Sequence, residues 1–329
     1  MRASIVTGVV VALALCAWLL LREPGSAAQA PSGPPRAGAA VLIDLGHHNF
    51  GMTGNYAPLA QWLQAEGFPV RALRGPFERG TLEGVGLVVI KNALAERNAI
   101  ANNATQGDMA RAWSLPTPSA FTQAEIELLH DWVLGGGGLL LLVDHMPMPG
   151  AARELASAFG IEISNGHAVD ERALQPFAAE KVERAGRIVF TRSDGTLADD
   201  PLTHGRSPSE RVESVASDGG SAFRLPGQAR SLLTLGPSFV SLLPQTAWQF
   251  SQATPRANVA GWSQGGVLRV GRGRLAVLGD GSLLMSPAMA ASYGRWGAYT
   301  ADGAPADFTQ NARLLVNLVR WLSGRLGED

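Results

Sequence analysis

The folded body of this chain is built without cysteine. The single cysteine is Cys16, inside an N-terminal apolar run, so residues 39–329 carry no disulfide, no thiolate metal ligand and no cysteine nucleophile. A charge excess of either sign is also missing. The net charge of −1 and pI of about 6.6 supply no field that would draw in nucleic acid or an anionic membrane. Histidine stops early: His204 is the last of six. The G-x-S-x-G match at Gly261–Gly265 therefore has no histidine after its serine, which the α/β-hydrolase order requires. It also leads into a strand, whereas the elbow needs a helix there. No internal repeat is visible. What remains, 46% hydrophobic and 17% charged residues, is globular composition.

Residues 1–22 carry Arg2, an apolar run from Ser4 to Leu21, and Arg22. This pattern is a signal anchor or a cleaved signal peptide, with the positive end inside and the body exported. Ala28-Gln29-Ala30 has the small-residue form of a cleavage site, but Pro31 follows it. Leu13–Cys16 is a poor lipoprotein box, because bulky Leu15 precedes the cysteine. Residues 23–38, rich in proline, glycine and alanine, form a linker. In a bacterial cell this predicts a periplasmic body, tethered to the inner membrane by its N-terminal segment.

The stretch that organises the body is Gly135–His145, GGGGLLLLVDH. The helix before it opens with Thr122 and Glu125, a capping box, and is flanked by Phe121 and Ile126 for a hydrophobic staple. Gly135 is the expected stop. Leu139–Val143 has no polar alternation, which predicts a strand covered on both faces. Similar apolar runs end in polar residues elsewhere: Ala39–Ile43 in Asp44, Val85–Ile90 in Lys91 and Asn92, and Leu275–Leu278 in Asp280 and Ser282. Helical patterns over Tyr56–Gly67, Ala151–Phe159 and the C-terminal segment alternate with these strands. The expected fold is α/β, a flavodoxin-like three-layer sandwich with a mainly parallel sheet over residues 39–324 and a short tail at 325–329. Two insertions interrupt it, at about 93–120 and at about 165–260, the second rich in short strands. The glycines at 271 and 273 form a hairpin between two strands, so they do not open a helix as a phosphate-binding loop must.

In open α/β sheets, ligands bind beyond the carboxyl ends of the strands. That edge would gather Asp44, Asp144, His145 and Asp280 as acid–base candidates. His47, His48, Asn49, Lys91, Asn92 and Ser282 would be ligand-binding candidates. Asp44, Asp144 and His145 offer oxygen and nitrogen ligands for a divalent metal, although nothing in the sequence requires one. His130 falls on the outer face of its helix. His167 and His204 come within reach only if the second insertion folds back.

The order of VLIDLGHHNF, LVVIKN, GGGGLLLLVDH, DDPLTHGR and GRGRLAVLGDGSLL, closed by a helix bearing Asn311, resembles the class I glutamine amidotransferase-like superfamily. Its exported or membrane-tethered bacterial branch and the trehalose-utilisation (ThuA-like) proteins are the nearest in pattern. The resemblance spans roughly residues 40–324 and implies a Rossmann-type sandwich. It also implies a cysteine after the central strand, where this chain has Asp144-His145, so glutaminase activity is excluded. Pro201–Gly205 is similar to the H-P-I-T-x-G segment of the ThuA-like proteins, but Asp200 stands where they have histidine. Three readings follow. One is a noncatalytic module binding a small polar ligand, such as a sugar, or an envelope protein partner. Another is a hydrolase using the Asp/His cluster, with or without a metal. The last is a structural tether whose edge is filled by its own aromatic side chains.

Overall fold

The computed structural model describes residues 39–49, 57–95, 114–284 and 309–327. The expected N-terminal segment 1–22, the linker 23–38 and most of the 93–120 insertion lie outside the described residues. The strands are β1 (Ala40–Asp44), β2 (Val70–Leu73), β3 (Val85–Lys91), β4 (Gly138–Leu142), β5 (Glu162–Ile163), β6 (His167–Asp170) and β7 (Ile188–Thr191). They continue as β8 (Ser214–Ser217), β9 (Phe223–Arg224), β10 (Arg230–Thr234), β11 (Phe239–Leu242), β12 (Arg256–Asn258), β13 (Ser263–Val270) and β14 (Gly273–Leu278). The longer helices are α1 (Ala57–Ala65), α2 (Gln123–Leu134), α3 (Arg153–Ala158) and α4 (Thr309–Leu322).

Nine strands form one sheet in the order β2-β1-β3-β4-β14-β13-β9-β5, with β10 also paired to β13. The first five run parallel, and Leu142 of β4 lies between Lys91 of β3 and Leu278 of β14. The expectation of a mainly parallel sheet needs correction. Four of its pairings are parallel and four antiparallel, so the sheet is mixed. The cause is local. Val270 pairs with Gly273 across a two-residue turn that reverses the chain, and β9 and β10 of the second insertion then add to β13. The rest of that insertion makes two small sheets, β12-β11-β6 and β7-β8.

Helices cover both faces of the parallel strands. Val41 and Ile43, Leu87 and Val89, Leu140 and Leu142, and Ala276 and Leu278 enter one core with α1 and α4. The alternate residues Leu42, Val88, Ile90, Leu139, Leu141, Leu275 and Val277 enter the other with α2 and α3. This is why the strands read as unbroken apolar runs. Each fully buried leucine contributes roughly 2 kcal/mol from area removed from water.

The turn into β4 is built on glycine. The helix stops at Gly135 as expected, but Gly135 itself remains right-handed and Gly136 takes the positive φ of 123°. At Gly138 a Cβ would fall 2.6 Å from the Leu322 carbonyl oxygen, so α4 packs there against bare backbone.

Leu141 is fully buried and Leu134 is 47% exposed. Leu141→Ala should lower the unfolding free energy by about 3 kcal/mol, and Leu134→Ala by no more than about 0.5 kcal/mol. Urea unfolding monitored by circular dichroism reads both. Equal midpoints for the two variants would contradict the placement of β4 at the centre.

Candidate functional site

The carboxyl ends of β1, β3, β4 and β14 lie along one edge, and each delivers a polar residue to it. At the end of β1, Asp44 is fully buried. Its Oδ1 accepts from the Gly46 amide at 3.0 Å and from His47 Nδ1 at 2.9 Å, and its Oδ2 accepts from Asn49 Nδ2 at 3.0 Å. The opposite nitrogen of the same ring, His47 Nε2, lies 2.9 Å from Glu125 Oε1. An imidazole facing carboxylates on both sides can donate to both only as the imidazolium. Burial pushes His47 down, but hydrogen bonds and charge from Asp44 and Glu125 outweigh it, and the net effect is upward from 6.5. The ring stacks on Phe77 at 5.2 Å and lies tilted against Phe121 at 4.7 Å.

Glu125 has a double role that its capping-box position does not reveal. Its Oε2 accepts from the Thr122 amide at 2.9 Å and the Thr122 hydroxyl at 2.8 Å, while Oε1 takes His47 and the Phe77 amide. Burial raises its carboxyl, but these donors together bring it below 4.5. Asn49, also fully buried, donates to the Lys91 carbonyl at 3.1 Å and accepts from the His47 amide. His47 and Asn49 thus pin the first loop to α2 and β3. His48 alone among the described residues of that loop is exposed, with φ 46°.

Asn92 follows β3 in the left-handed region, φ 50°, and is buried. Asparagine tolerates that conformation better than most residues. Its Oδ1 accepts from the Asp144 amide at 2.9 Å, tying the end of β3 to that of β4. Asp144 keeps 17% of its side chain exposed and His145 keeps 15%. Asp144 Oδ1 accepts from the His145 amide and Oδ2 from the Gly281 amide at 3.2 Å. His145 Nδ1 donates to the Met146 carbonyl at 3.0 Å, so in the neutral ring Nε2 bears the lone pair, 3.9 Å from Asp144.

Beyond β14, Asp280 is sealed. Its carboxylate accepts from Ser217 Oγ at 2.5 Å, Ser282 Oγ at 2.6 Å, the Asp218 amide at 2.7 Å and the Ser282 amide at 2.9 Å. Burial and the neighbouring Asp144 nevertheless push its carboxyl up to about 7, against the pull of these donors. α4 closes this corner: Asn311 Nδ2 donates to the carbonyls of Ala216 and Ser282, and its Oδ1 accepts from the Ala216 amide.

The second insertion reaches the same edge. His145 packs edge-on to Trp248 at 4.5 Å, and His167 lies 5.3 Å from Trp248 and 6.2 Å from His145. His167 is 1% exposed and neither ring nitrogen finds a partner of good hydrogen-bond geometry, although the Val182 backbone acts on it. Burial pushes it down to about 3. Trp248 adopts φ 63°, a strained value for an aromatic residue. His204 stays at the surface and pairs with Asp199 at 2.6 Å. His130 is half-buried rather than free in solvent, its ring 5.3 Å from Phe159.

The candidate metal trio divides between two sets of contacts. Asp44 faces His47 and Asn49, whereas Asp144 and His145 face Gly281, Met146 and Trp248. Among the described residues no three His, Cys, Asp or Glu side chains converge as a metal site. Ser263 of the G-x-S-x-G match is buried at the start of β13 and donates to Ser231 at 2.7 Å, so it is a strand residue. A cavity of about 230 Å³ lined by Arg224, Leu225 and Trp262 shares none of the candidate residues. Glu125, Ser217 and Trp248 were not legible as members of this edge.

Opposite pH signs follow for two histidines. His47 is raised in the folded chain, so its stabilisation is complete below 6.5 and is lost as pH rises through the folded value. His167 is depressed, so stability falls as pH drops below 6.5 and the unfolded chain alone takes the proton. His47→Ala should cost about 3 kcal/mol at pH 6, because it strips the shared cation from two buried carboxylates. Denaturant unfolding from pH 5 to 9 should show the alkaline decline in the native chain and not in His47→Ala. A parallel decline in both would refute the imidazolium bridge.

No protein-family profile matches the chain, and no curated protein matches it. Solved structures do. The mmIFT52 N-terminal domain aligns with 86% of this chain and 97% of its own length, at 14% identity and a TM-score of 0.51. The cytoplasmic protein STM3548 from Salmonella typhimurium aligns over 86% of this chain and 98% of its own, at 11% identity and a TM-score of 0.44. A ThuA-like protein from Parabacteroides merdae aligns over 89% and 93%, at 12% identity and a TM-score of 0.41. At these identities, what the chain shares with the mmIFT52 N-terminal domain is its fold.

Proposed function

We propose that this chain is a class I glutamine amidotransferase-like domain of flavodoxin-like topology that binds a small polar ligand without glutaminase chemistry. The parallel strand order β2-β1-β3-β4-β14 supports the topology, since doubly wound sheets of this order bind ligands at their carboxyl edge. The absence of cysteine from residues 39–329 supports the loss of glutaminase activity. The observation that carries the binding reading is a division among the edge residues. Asp44, Asn49, Asn92, Asp280 and Ser282 are buried and spend their polar atoms on the protein itself. Lys91, Asp144 and His145 are only partly buried; Lys91 and Asp144 both lie beside Gly281, and His145 follows Asp144 in the chain. Together they offer one cationic, one anionic and one imidazole group, which suits a neutral polyhydroxyl ligand such as a sugar.

Export and membrane tethering belong to the same proposal and rest on residues 1–22. No helix among the described residues is long and apolar enough to cross a membrane, and that segment is not among them. An envelope protein partner is the alternative occupant of the edge. The hydrolase reading keeps one support, a buried carboxyl, Asp280, that burial and the neighbouring Asp144 charge hold above its ordinary value.

Thermal-shift measurements on the full chain across a panel of monosaccharides and polyols test the binding reading. At least one ligand should raise the melting temperature, and Asp144→Ala should abolish the rise. A shift that survives Asp144→Ala, Lys91→Ala and His145→Ala alike places the ligand elsewhere. Turnover of chromogenic esters or glycosides that disappears in Asp144→Asn would favour the hydrolase instead.

A further inference from the structure

The G-x-S-x-G segment takes no part in the carboxyl edge, yet it lines a cavity. Gly261, Trp262 and Ser263 form one wall of a space of about 230 Å³ at the start of β13. The rest comes from β9, β10 and the turn between them. Ser263 pairs with Phe223 of β9 and also with Thr234 of β10. A strand residue has one partner on each side, so the turn that joins β9 to β10 must cross a face of β13. Leu225 marks the crossing: a Cβ on Gly266 would fall 2.5 Å from its Cδ1. The turn continues through Pro226, Gly227 and Ala229, which carry little side chain to fill the space beneath them. The cavity is the volume they leave.

Of the residues lining this cavity, Arg224 alone carries charge. Its Cζ lies 4.7 Å from the centroid of the Trp262 ring, so the guanidinium is held over the indole of the opposite wall. Stacking of this kind restrains the group and leaves its N–H edge free. Among the described residues its one hydrogen bond runs from Nη1 to Glu162 Oε2, at 3.0 Å. Glu162 and Arg224 face each other across β5 and β9, and both are more than half exposed. Such a pair is worth little, and it leaves Nε and Nη2 unspent. The hydroxyls are committed elsewhere: Ser263 donates to Ser231 at 2.7 Å, and Ser231 lies 2.8 Å from Thr234 Oγ1. A Cβ built on Gly227 or Gly261 meets no atom within 4 Å, so both glycines border open space.

We propose that this cavity is a second binding site, for a small organic acid: one carboxylate on a compact apolar body. The carboxylate accepts parallel hydrogen bonds from Arg224 Nε and Nη2, the side-on fork that suits its two oxygens. The apolar body lies beneath the turn, against Leu225, Pro226 and Ala229. The volume limits that body to a single ring or a short branched chain, since pockets for drug-sized ligands run to roughly 300–1,000 Å³. A neutral sugar would leave the one charge of the lining unused, and a phosphate dianion would meet only a single cation. The site shares no residue with the carboxyl edge and does not depend on the ligand proposed for it.

Fluorine NMR of 4-fluorobenzoate titrated with the full chain tests this. Its resonance should broaden saturably, and the uncharged 4-fluorobenzamide should bind about tenfold more weakly, because charge-assisted hydrogen bonds are the stronger ones. Arg224→Met, which keeps an apolar stem over Trp262, should weaken 4-fluorobenzoate by a similar factor. Gly227→Leu should abolish binding by filling the space; the backbone there is not left-handed, so the side chain is tolerated. Asp144→Ala should leave 4-fluorobenzoate binding unchanged, and Arg224→Met should leave any polyol thermal shift unchanged, so the two sites can fail separately. Equal binding of the acid and the amide overturns the proposal without any variant having to fold. So does a resonance that never broadens, or binding that survives both Arg224→Met and Gly227→Leu.

Discussion

Burying the polar ends of a parallel sheet is the constraint on which this structure turns. Four strands finish side by side in residues that carry charge or strong hydrogen-bonding groups, and helices on both faces keep water from most of them. A buried carboxylate without donors costs several kcal/mol, so donors must be supplied from within. Asp44 receives an amide, an asparagine and an imidazole N–H. Asp280 receives two hydroxyls and two amides. These donors come from distant parts of the chain, so satisfying the edge also locks the first loop to α2, and β8 to α4 and the end of β14.

That locking decides what the edge can do. A group that already accepts three or four internal hydrogen bonds has little left for a ligand. Asp44 and Asp280, attractive as isolated strand-end carboxylates, are structural in this sense, and His47 is the cation that makes the first of them tolerable. Trp248 fills the space beyond His145, so the edge is partly closed by the chain's own aromatic side chains. What remains is narrow: Lys91 and Asp144 beside Gly281, with His145 next to Asp144. This favours recognition of one small polar molecule over the broad metal-centred chemistry that the Asp/His composition alone suggests.

Much of the fold was legible because its signals are local. The capping box of Thr122 and Glu125, the unbroken apolar strands and the glycine hairpin each depend on residues within a few positions. The position of the edge was legible too, since strand ends follow from strand limits. Its wiring was not. Glu125 already had a complete local explanation as a cap, and its bond to His47 spans 78 residues. Ser217 and Trp248 sit in short, irregular strands and turns whose placement depends on tertiary pairing. The mixed character of the sheet was hidden for the same reason: β9 and β10 join β13 through long-range pairing, and their own sequences do not say which sheet they enter.

The openness of the edge depends most directly on the state of Lys91, whose ammonium has no ion-pair partner among the described residues. With only two lysines in the chain, an NMR titration of the side-chain Cε and Nζ resonances, assigned with Lys91→Arg, can follow each separately. The structure predicts a Lys91 midpoint below the ordinary 10.5, because burial outweighs the pull of Asp144 and Asp280. A midpoint at or above that value would mean that Lys91 is tightly paired, and the edge would then hold no open amine.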